Sequence, residues 1–367
     1  MAKPAAPYEI WMTPTGATGC EGACEVGDQV AVLLVHGSDA GDDSLLLVAL
    51  DASGRPIDGA ARLEIANQTA YLAALASDGA RALAAVVTRN EEDIPRSGAT
   101  ERRHHDRPRL LELGKPAKLR VRELGPWDVD VARMCAASVG GQATWTMGTV
   151  TWGPDGPTSQ LAYAFGSGTS LPTLRRTAIA GSVIAHSADE RGIVALAGTR
   201  TSLELWALPR SGDPRCLGEV ARAKAPTTFS DARIVRLRDG FALAWYVSAT
   251  ASSGPVGGLW ARTCSTTLDE LTAPVHLARD DDATWDEWRA YDVGDGGLVL
   301  YGSGESGDPV QRLRWRKRDD VTSDTARGFP GHLPDALVAT SKGAVVITCR
   351  TTNRGRRTRV LSRLVPI

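Results

Sequence analysis

Short apolar runs recur along this chain, and each is entered directly from a glycine-bearing turn. The turns are Gly27-Asp28, Asp78-Gly79, Gly140-Gly141, Arg191-Gly192, Asp239-Gly240, Asp295-Gly296 and Lys342-Gly343. Counted between Gly27, Gly79, Gly141, Gly192, Gly240, Gly296 and Gly343, the spacings are 52, 62, 51, 48, 56 and 47 residues. The runs that follow are Val30–Val35, Ala82–Val87, Ala143–Met147, Ile193–Ala197, Phe241–Tyr246, Leu298–Tyr301 and Ala344–Thr348. They are too short for helices, carry glycine on their flank, and are nearly continuous in apolar residues. That combination predicts strands buried on both faces.

After a polar connection each repeat supplies a second strand-like segment, which in several repeats alternates polar with apolar. These are Leu45–Leu50, Arg109–Leu113, Leu161–Phe165, Leu203–Leu208, Gly258–Arg262, Arg312–Arg316 and Arg359–Leu364. A weaker strand precedes several of the glycine turns, as at Tyr71–Ala76, Ala232–Leu237 and Asp335–Ala339. A fourth follows the alternating one, as at Ala61–Ile65 and Val275–Ala278. Alternation is the mark of a strand nearer the surface.

Four strands per repeat of 45–60 residues, seven times over, resembles the β-propeller superfamily across essentially the whole chain. The resemblance implies an all-β, seven-bladed propeller forming a single domain. Its blades fall near 20–66, 67–124, 125–180, 181–224, 225–279, 280–330 and 331–367 plus 8–14. The unpaired segment Tyr8–Met12 is then the outer strand of the last blade, which closes the ring. The chain departs from the named subfamilies: there is no Gly-His…Trp-Asp pairing per repeat, no sialidase Asp-box and no regular kelch glycine doublet. The resemblance also puts the inter-blade connections and the second-to-third strand loops on one face, the top. The glycine turns share the opposite face.

The 367 residues carry 42 Lys+Arg and 43 Asp+Glu, a net charge of −1, yet the balance is uneven. Residues 311–367 hold 13 basic and 4 acidic residues, and the remainder therefore holds 29 and 39. No apolar run reaches the roughly 20 residues of a membrane helix. Six cysteines include Cys20 and Cys24 in a Gly-rich stretch, where a disulfide could close a small loop. The Pro/Ala-rich start lacks a signal-peptide core. Followed by this Gly/Cys-rich stretch, it fits an exported mature bacterial chain, periplasmic or extracellular, better than a cytoplasmic one.

Three segments carry candidate chemistry. The polar stretch 88–108, read as the longest top-face loop, holds Arg103, His104, His105 and Asp106. Adjacent histidines bind metals or move protons near neutral pH; His36 is a further ligand candidate, and a mobile charged loop is the competing reading. The link 279–288 concentrates Asp280, Asp281, Asp282, Asp286 and Glu287 beside Trp285 and Trp288, with Trp127 in the analogous earlier link. Crowded carboxylates shift one another's pKa or bind a cation, and tryptophans stack on sugars or cations; an acidic link with packed tryptophans is the alternative. The third is a basic sector of Arg312, Arg314, Arg316, Arg354, Arg356 and Arg357, suited to a polyanion or acidic partner, or else a solvated Arg-rich rim.

No nucleophile elbow, Walker loop, HExxH or Rossmann glycine pattern is present, and no cofactor or metal is called for. The sequence therefore points to a binding module that presents its top-face loops to a protein or glycan partner, nucleic acid being disfavoured. An enzyme acting on a carbohydrate or small molecule in the central top pocket is the alternative, with Asp281, Asp282, His104 and His105 as its acids and bases. A structural subunit of a larger assembly is the third reading; otherwise the propeller is monomeric.

Overall fold

A computed structural model describes residues 7–12, 17–37, 43–57, 61–64, 70–96, 99–115, 118–154, 156–166, 170–199, 201–222, 232–237, 240–247, 257–265, 267–268, 270–279, 287–292, 298–303, 311–317, 320–325, 333–352 and 357–365. All regular structure among them is strand, in seven four-stranded antiparallel sheets. The described part opens on β1 (Tyr8–Met12). Sheet 1 takes β2 (Ala17–Val26), β3 (Gln29–Gly37), β4 (Asp43–Asp51) and β5 (Ala61–Glu64). Sheet 2 takes β6 (Ala70–Ser77), β7 (Ala82–Arg96), β8 (Ala99–Lys115) and β9 (Lys118–Pro126). Sheet 3 takes β10 (Asp130–Val139), β11 (Gln142–Gly153), β12 (Gly156–Gly166) and β13 (Arg175–Ala180). Sheet 4 takes β14 (Ser182–Ala188), β15 (Gly192–Gly198), β16 (Ser202–Pro209) and β17 (Arg215–Arg222). Sheet 5 takes β18 (Ala232–Leu237), β19 (Gly240–Val247), β20 (Gly258–Ser265) and β21 (Val275–Arg279). Sheet 6 takes β22 (Glu287–Asp292), β23 (Leu298–Ser303), β24 (Gln311–Lys317) and β25 (Asp320–Thr325). Sheet 7 takes β26 (Ala336–Thr340), β27 (Gly343–Thr352) and β28 (Arg357–Val365), with β1 as its fourth strand.

Each apolar run after a glycine turn is the second strand of its sheet. It is paired on both edges and covered on both faces: Val30 to Leu34 on β3 are each 0% exposed. The core is accordingly a series of layers between consecutive sheets. Leu33 and Ala84 join sheets 1 and 2, and Leu83 and Trp145 join sheets 2 and 3. Tyr163 and Ile193 join sheets 3 and 4, Leu205 and Leu243 join 4 and 5, and Leu259 and Trp288 join 5 and 6. Sheet 7 meets sheet 6 where the Tyr291 hydroxyl donates to Pro334 O at 3.0 Å. It meets sheet 1 through a layer containing Val32, Leu46, Val345 and Ile347.

The two ends of the chain are tied in that last layer. β1 pairs with β28, Ile10 is buried, and Arg359 binds Glu9 across the pair. Thr340 Oγ1 donates to Ala52 O at 3.0 Å, and Thr18 N donates to Thr358 Oγ1 at 3.2 Å, so sheets 7 and 1 are stitched by hydrogen bonds as well. The glycine turns permit close approach where sheets converge. At Gly79, with φ of 83°, a Cβ would stand 3.2 Å from the Cα of Gly141 in the neighbouring sheet's turn.

Two expectations are corrected. The polar stretch 88–108 is not a loop. Its backbone continues β7 and β8 as one hairpin, in register from Leu83↔Glu112 to Arg96↔Ala99. The register sets Glu92 opposite Arg103 and Asp93 opposite Arg102, positions at which opposite charges favour strand pairing. Cys20 and Cys24 are both free. They lie on one extended strand, where four residues span about 13 Å at 3.3 Å each. A disulfide needs its Cα atoms within about 7 Å, so the small loop does not form.

Candidate functional site

The first strand of each sheet has a hydrogen-bonded neighbour on one side only: β2 pairs with β3, β10 with β11, β18 with β19 and β22 with β23. Its other edge carries no sheet partner. β2, β6, β10 and β14 each contain a register shift, between Cys20 and Gly22, Ala70 and Leu72, Val131 and Arg133, and Val183 and Ala185. Such bulges twist a strand and re-aim its side chains. Where the glycine-turn ends of β2, β6, β10 and β26 meet, they border an open cavity of about 540 Å³. Its lining includes Glu25, Ser77, Ser138 and the glycines of three turns. The Ser77 amide donates to Ser138 Oγ at 2.6 Å, joining sheets 2 and 3 at the rim.

Farther from the turns, the same strands carry charge. Arg233 on β18 lies over the Trp288 ring, 5.5 Å from its centroid, and its Nη1 donates to Ala232 O at 2.8 Å. Arg289 on β22 repeats that bond, donating to Trp288 O at 2.9 Å. Arg133 on β10 and Arg233 both lower the pKa of the Cys135 thiol, although burial dominates and raises it. On the side of sheets 1 and 7, partial desolvation of the otherwise solvent-accessible Glu21 and then the neighbouring Asp335 push its carboxyl up. Cys20 rises to about 12, first by burial and then by Asp335, which makes it an inert thiol at neutral pH. Asp335 accepts from the Cys349 amide at 2.6 Å. Tyr291 lies between the two halves: burial raises its pKa most, and Arg289, Asp335, Cys20 and Arg233 all act on it.

His186 on β14 is also buried, with its Nδ1 2.6 Å from Thr146 Oγ1 and its Nε2 3.4 Å from Thr144 Oγ1. Thr144 already donates to Ala137 O at 3.1 Å. Nε2 is therefore the donor and Nδ1 the acceptor, the arrangement of a neutral ring. Burial holds its pKa down at about 3.

The residues singled out from sequence do not gather in one place. Arg103, His104, His105 and Asp106 are on β8, opposite Glu92, Glu91, Asn90 and Arg89. Asp106 is half-buried. His36 is on β3 in sheet 1, with Nδ1 3.2 Å from Thr18 Oγ1. Asp280, Asp281, Asp282, Trp285, Asp286, Arg354 and Arg356 lie outside the described residues. Trp288 is 0% exposed and belongs to the layer between sheets 5 and 6, so it offers no stacking face. Trp127 is 3% exposed; it donates through Nε1 to Pro172 O at 2.8 Å and packs on Trp145 with centroids 5.7 Å apart. Both are packed between sheets because an indole buries a large apolar area with one polar atom to satisfy. Arg312, Arg314 and Arg316 all lie on β24, and Arg357 begins β28 in the next sheet.

Sequence reasoning missed Arg133, Arg233, Arg289, Glu21 and Asp335. Their signal was a charged residue in or next to a first strand that is otherwise apolar, as in Ala232-Arg233-Ile234-Val235. Among the described residues no three His, Cys, Asp or Glu side chains are placed to hold a metal ion. No helix among them is long and apolar enough to cross a membrane.

No family model and no curated protein matches the sequence. Solved structures do. Acylaminoacyl peptidase from Pyrococcus horikoshii superposes with a TM-score of 0.54 at 12% identity, over 95% of this chain and 52% of that one. The chain thus spans about half the length of that peptidase. The β-propeller domain of the Trilobed protease from Pyrococcus furiosus gives 0.53 at 10% identity, over 96% of this chain and 94% of that one. The fucose-specific lectin from Aleuria aurantia gives 0.46 at 12% identity, too low a score to weigh. At these identities the likeness speaks for the fold alone, and with the repeated four-stranded sheets it identifies this chain as a β-propeller.

Proposed function

We propose that the seven sheets are the blades of one closed seven-bladed propeller, and that it serves as a binding module. Its partner, a protein or a glycan, docks on the face from which the second-to-third strand hairpins project. The carrying observation is the β7–β8 hairpin. It stays in register over 14 residues of β7, Leu83 to Arg96, against 7 for β15 in sheet 4. The excess of seven residues is about 23 Å of strand. A free two-stranded ribbon of that length is only marginally stable in water, which favours a partner that covers it. Beside it, the β11–β12 hairpin of sheet 3 carries Trp152, at 41% exposure one of the two exposed large apolar residues among those described. A solvent-facing indole on a projecting hairpin suits docking to an apolar or sugar surface. The likeness to a protease's whole propeller domain supports reading the chain as such a module.

The test replaces residues 90–105 by a two-residue Asn-Gly turn and, separately, makes Trp152→Ser. Both are assayed by cross-linking pull-down and by glycan array, with far-UV circular dichroism as the check on folding. Partner capture is lost with the shortened hairpin and weakened by Trp152→Ser. Full retention of every interaction by both folded variants removes the proposal.

A further inference from the structure

The charged tier on the first strands is separate from those hairpins, and its charge is divided. Arg233 and Arg289, from adjacent sheets 5 and 6, flank the buried Trp288, one over its ring and the other bonded to its carbonyl. Glu21 is on β2 of sheet 1, and Asp335 immediately precedes β26 of sheet 7. Glu21 is exposed and the other three are half-buried, so solvent reaches all four. Tyr291, two residues from Arg289 on β22, donates its hydroxyl to Pro334 O beside Asp335, which brings the basic and acidic halves together. The acidic half also adjoins the pocket of about 540 Å³, because Ala23 and Leu337, which line it, are each two residues in the chain from Glu21 and Asp335. A cavity of this size is within the range that holds small ligands.

We propose that this axial tier binds a small zwitterion, its carboxylate or phosphate held by Arg233 and Arg289 and its ammonium by Glu21 and Asp335. A purely anionic ligand would meet the two carboxylates and a purely cationic one the two guanidinium groups, so each alone gains less than a molecule carrying both charges. The guanidinium groups are built into place by the indole and by backbone carbonyls, which is how a planar fork is pre-organised for an oxyanion. A guanidinium carries five N–H donors and a carboxylate about four acceptor sites, so each can keep its present partners and still take a ligand.

The experiment titrates the full chain with ω-amino acids from glycine to 6-aminohexanoate, following tryptophan indole N–H signals by NMR, with butyrate and butylamine as single-charge probes. One chain length saturates, shifting the indole signal of Trp288, and binds at least tenfold tighter than either single-charge probe. Arg233→Gln with Arg289→Gln removes that preference, and Arg191→Gln, on the turn before β15, leaves it intact. Should the double variant fail to fold, Arg289→Lys, which keeps the charge and loses the fork, is read instead and weakens binding at least threefold. Shortening the β7–β8 hairpin leaves the titration unchanged, which separates this site from the docking face. Absence of saturable binding by every ω-amino acid, or equal binding by butyrate, overturns the proposal.

Discussion

In sheet 3 the second and first strands have opposite characters. On β11 every residue from Ala143 to Thr149 is buried, and the strand is paired on both edges. On β10, Ala132 and Ser138 are exposed, most other residues are half-buried, one edge has no sheet partner, and a bulge breaks the register. A strand enclosed on four sides admits only small and branched apolar side chains. A strand bordering the axis can carry arginine and glutamate, because part of each side chain remains in water. Stability and chemistry are thereby assigned to neighbouring strands of one sheet.

The contrast can be broken or sharpened by measurement. Removing residues 1–14 deletes the outer strand of sheet 7, exposes the edge of β28 and empties the site of Ile10. We expect the largest fall in melting temperature of any change proposed here; an unchanged melting curve would mean that β1 contributes nothing to closure. Next, Leu243→Ala on β19, at 0% exposure between sheets 4 and 5, should cost about 2–5 kcal/mol in chemical denaturation. Ser138→Ala on the first strand β10 should cost about 1 kcal/mol, the value of one hydrogen bond. Equal losses would erase the distinction between the two strands.

Gly240→Ala tests the turn that launches a second strand. Its φ is 148°, and a Cβ there would fall 2.0 Å from Cys264 O. Strain of about 1–3 kcal/mol is expected, and a neutral result would show that the turn yields freely.

His186 reports on the buried part of a first strand. Its folded pKa of about 3 lies below the unfolded value of about 6.5. The unfolded chain therefore binds more protons between these values. The contribution is complete above about pH 6.5 and is lost as pH falls toward 3, at up to about 1.4 kcal/mol per unit. His186→Gln should flatten that part of the stability–pH profile, and an unaltered slope would assign it to other groups. The smallest effect is expected at the rim: Arg359→Gln breaks a half-exposed ion pair with Glu9 and should cost at most about 1 kcal/mol.

The repeat was legible because second strands obey a local rule. A run such as Val30–Val35 must be apolar on both faces whatever its neighbours are, and its glycine turn marks where it begins. The pairing of Tyr8–Met12 with the last sheet was legible for a related reason: a strand-like segment without a local partner has to find a distant one. The hairpin at 88–108 was not legible. Its residues are polar, and polar composition reads as loop unless the register that matches Glu92 with Arg103 is known. Trp288 and Trp127 misled because an indole in a link looks the same whether it faces water or the next sheet.

The sequence by itself determined the strand period, the sheet count and the enclosed character of the second strands, since these follow from which side chains can leave water. Only the tertiary structure decided that Arg233, Arg289 and Asp335, up to 102 positions apart in the chain, gather around Tyr291. Burial is a property each residue carries locally. Convergence on an axis depends on how the sheets are set around it, and no single repeat encodes that.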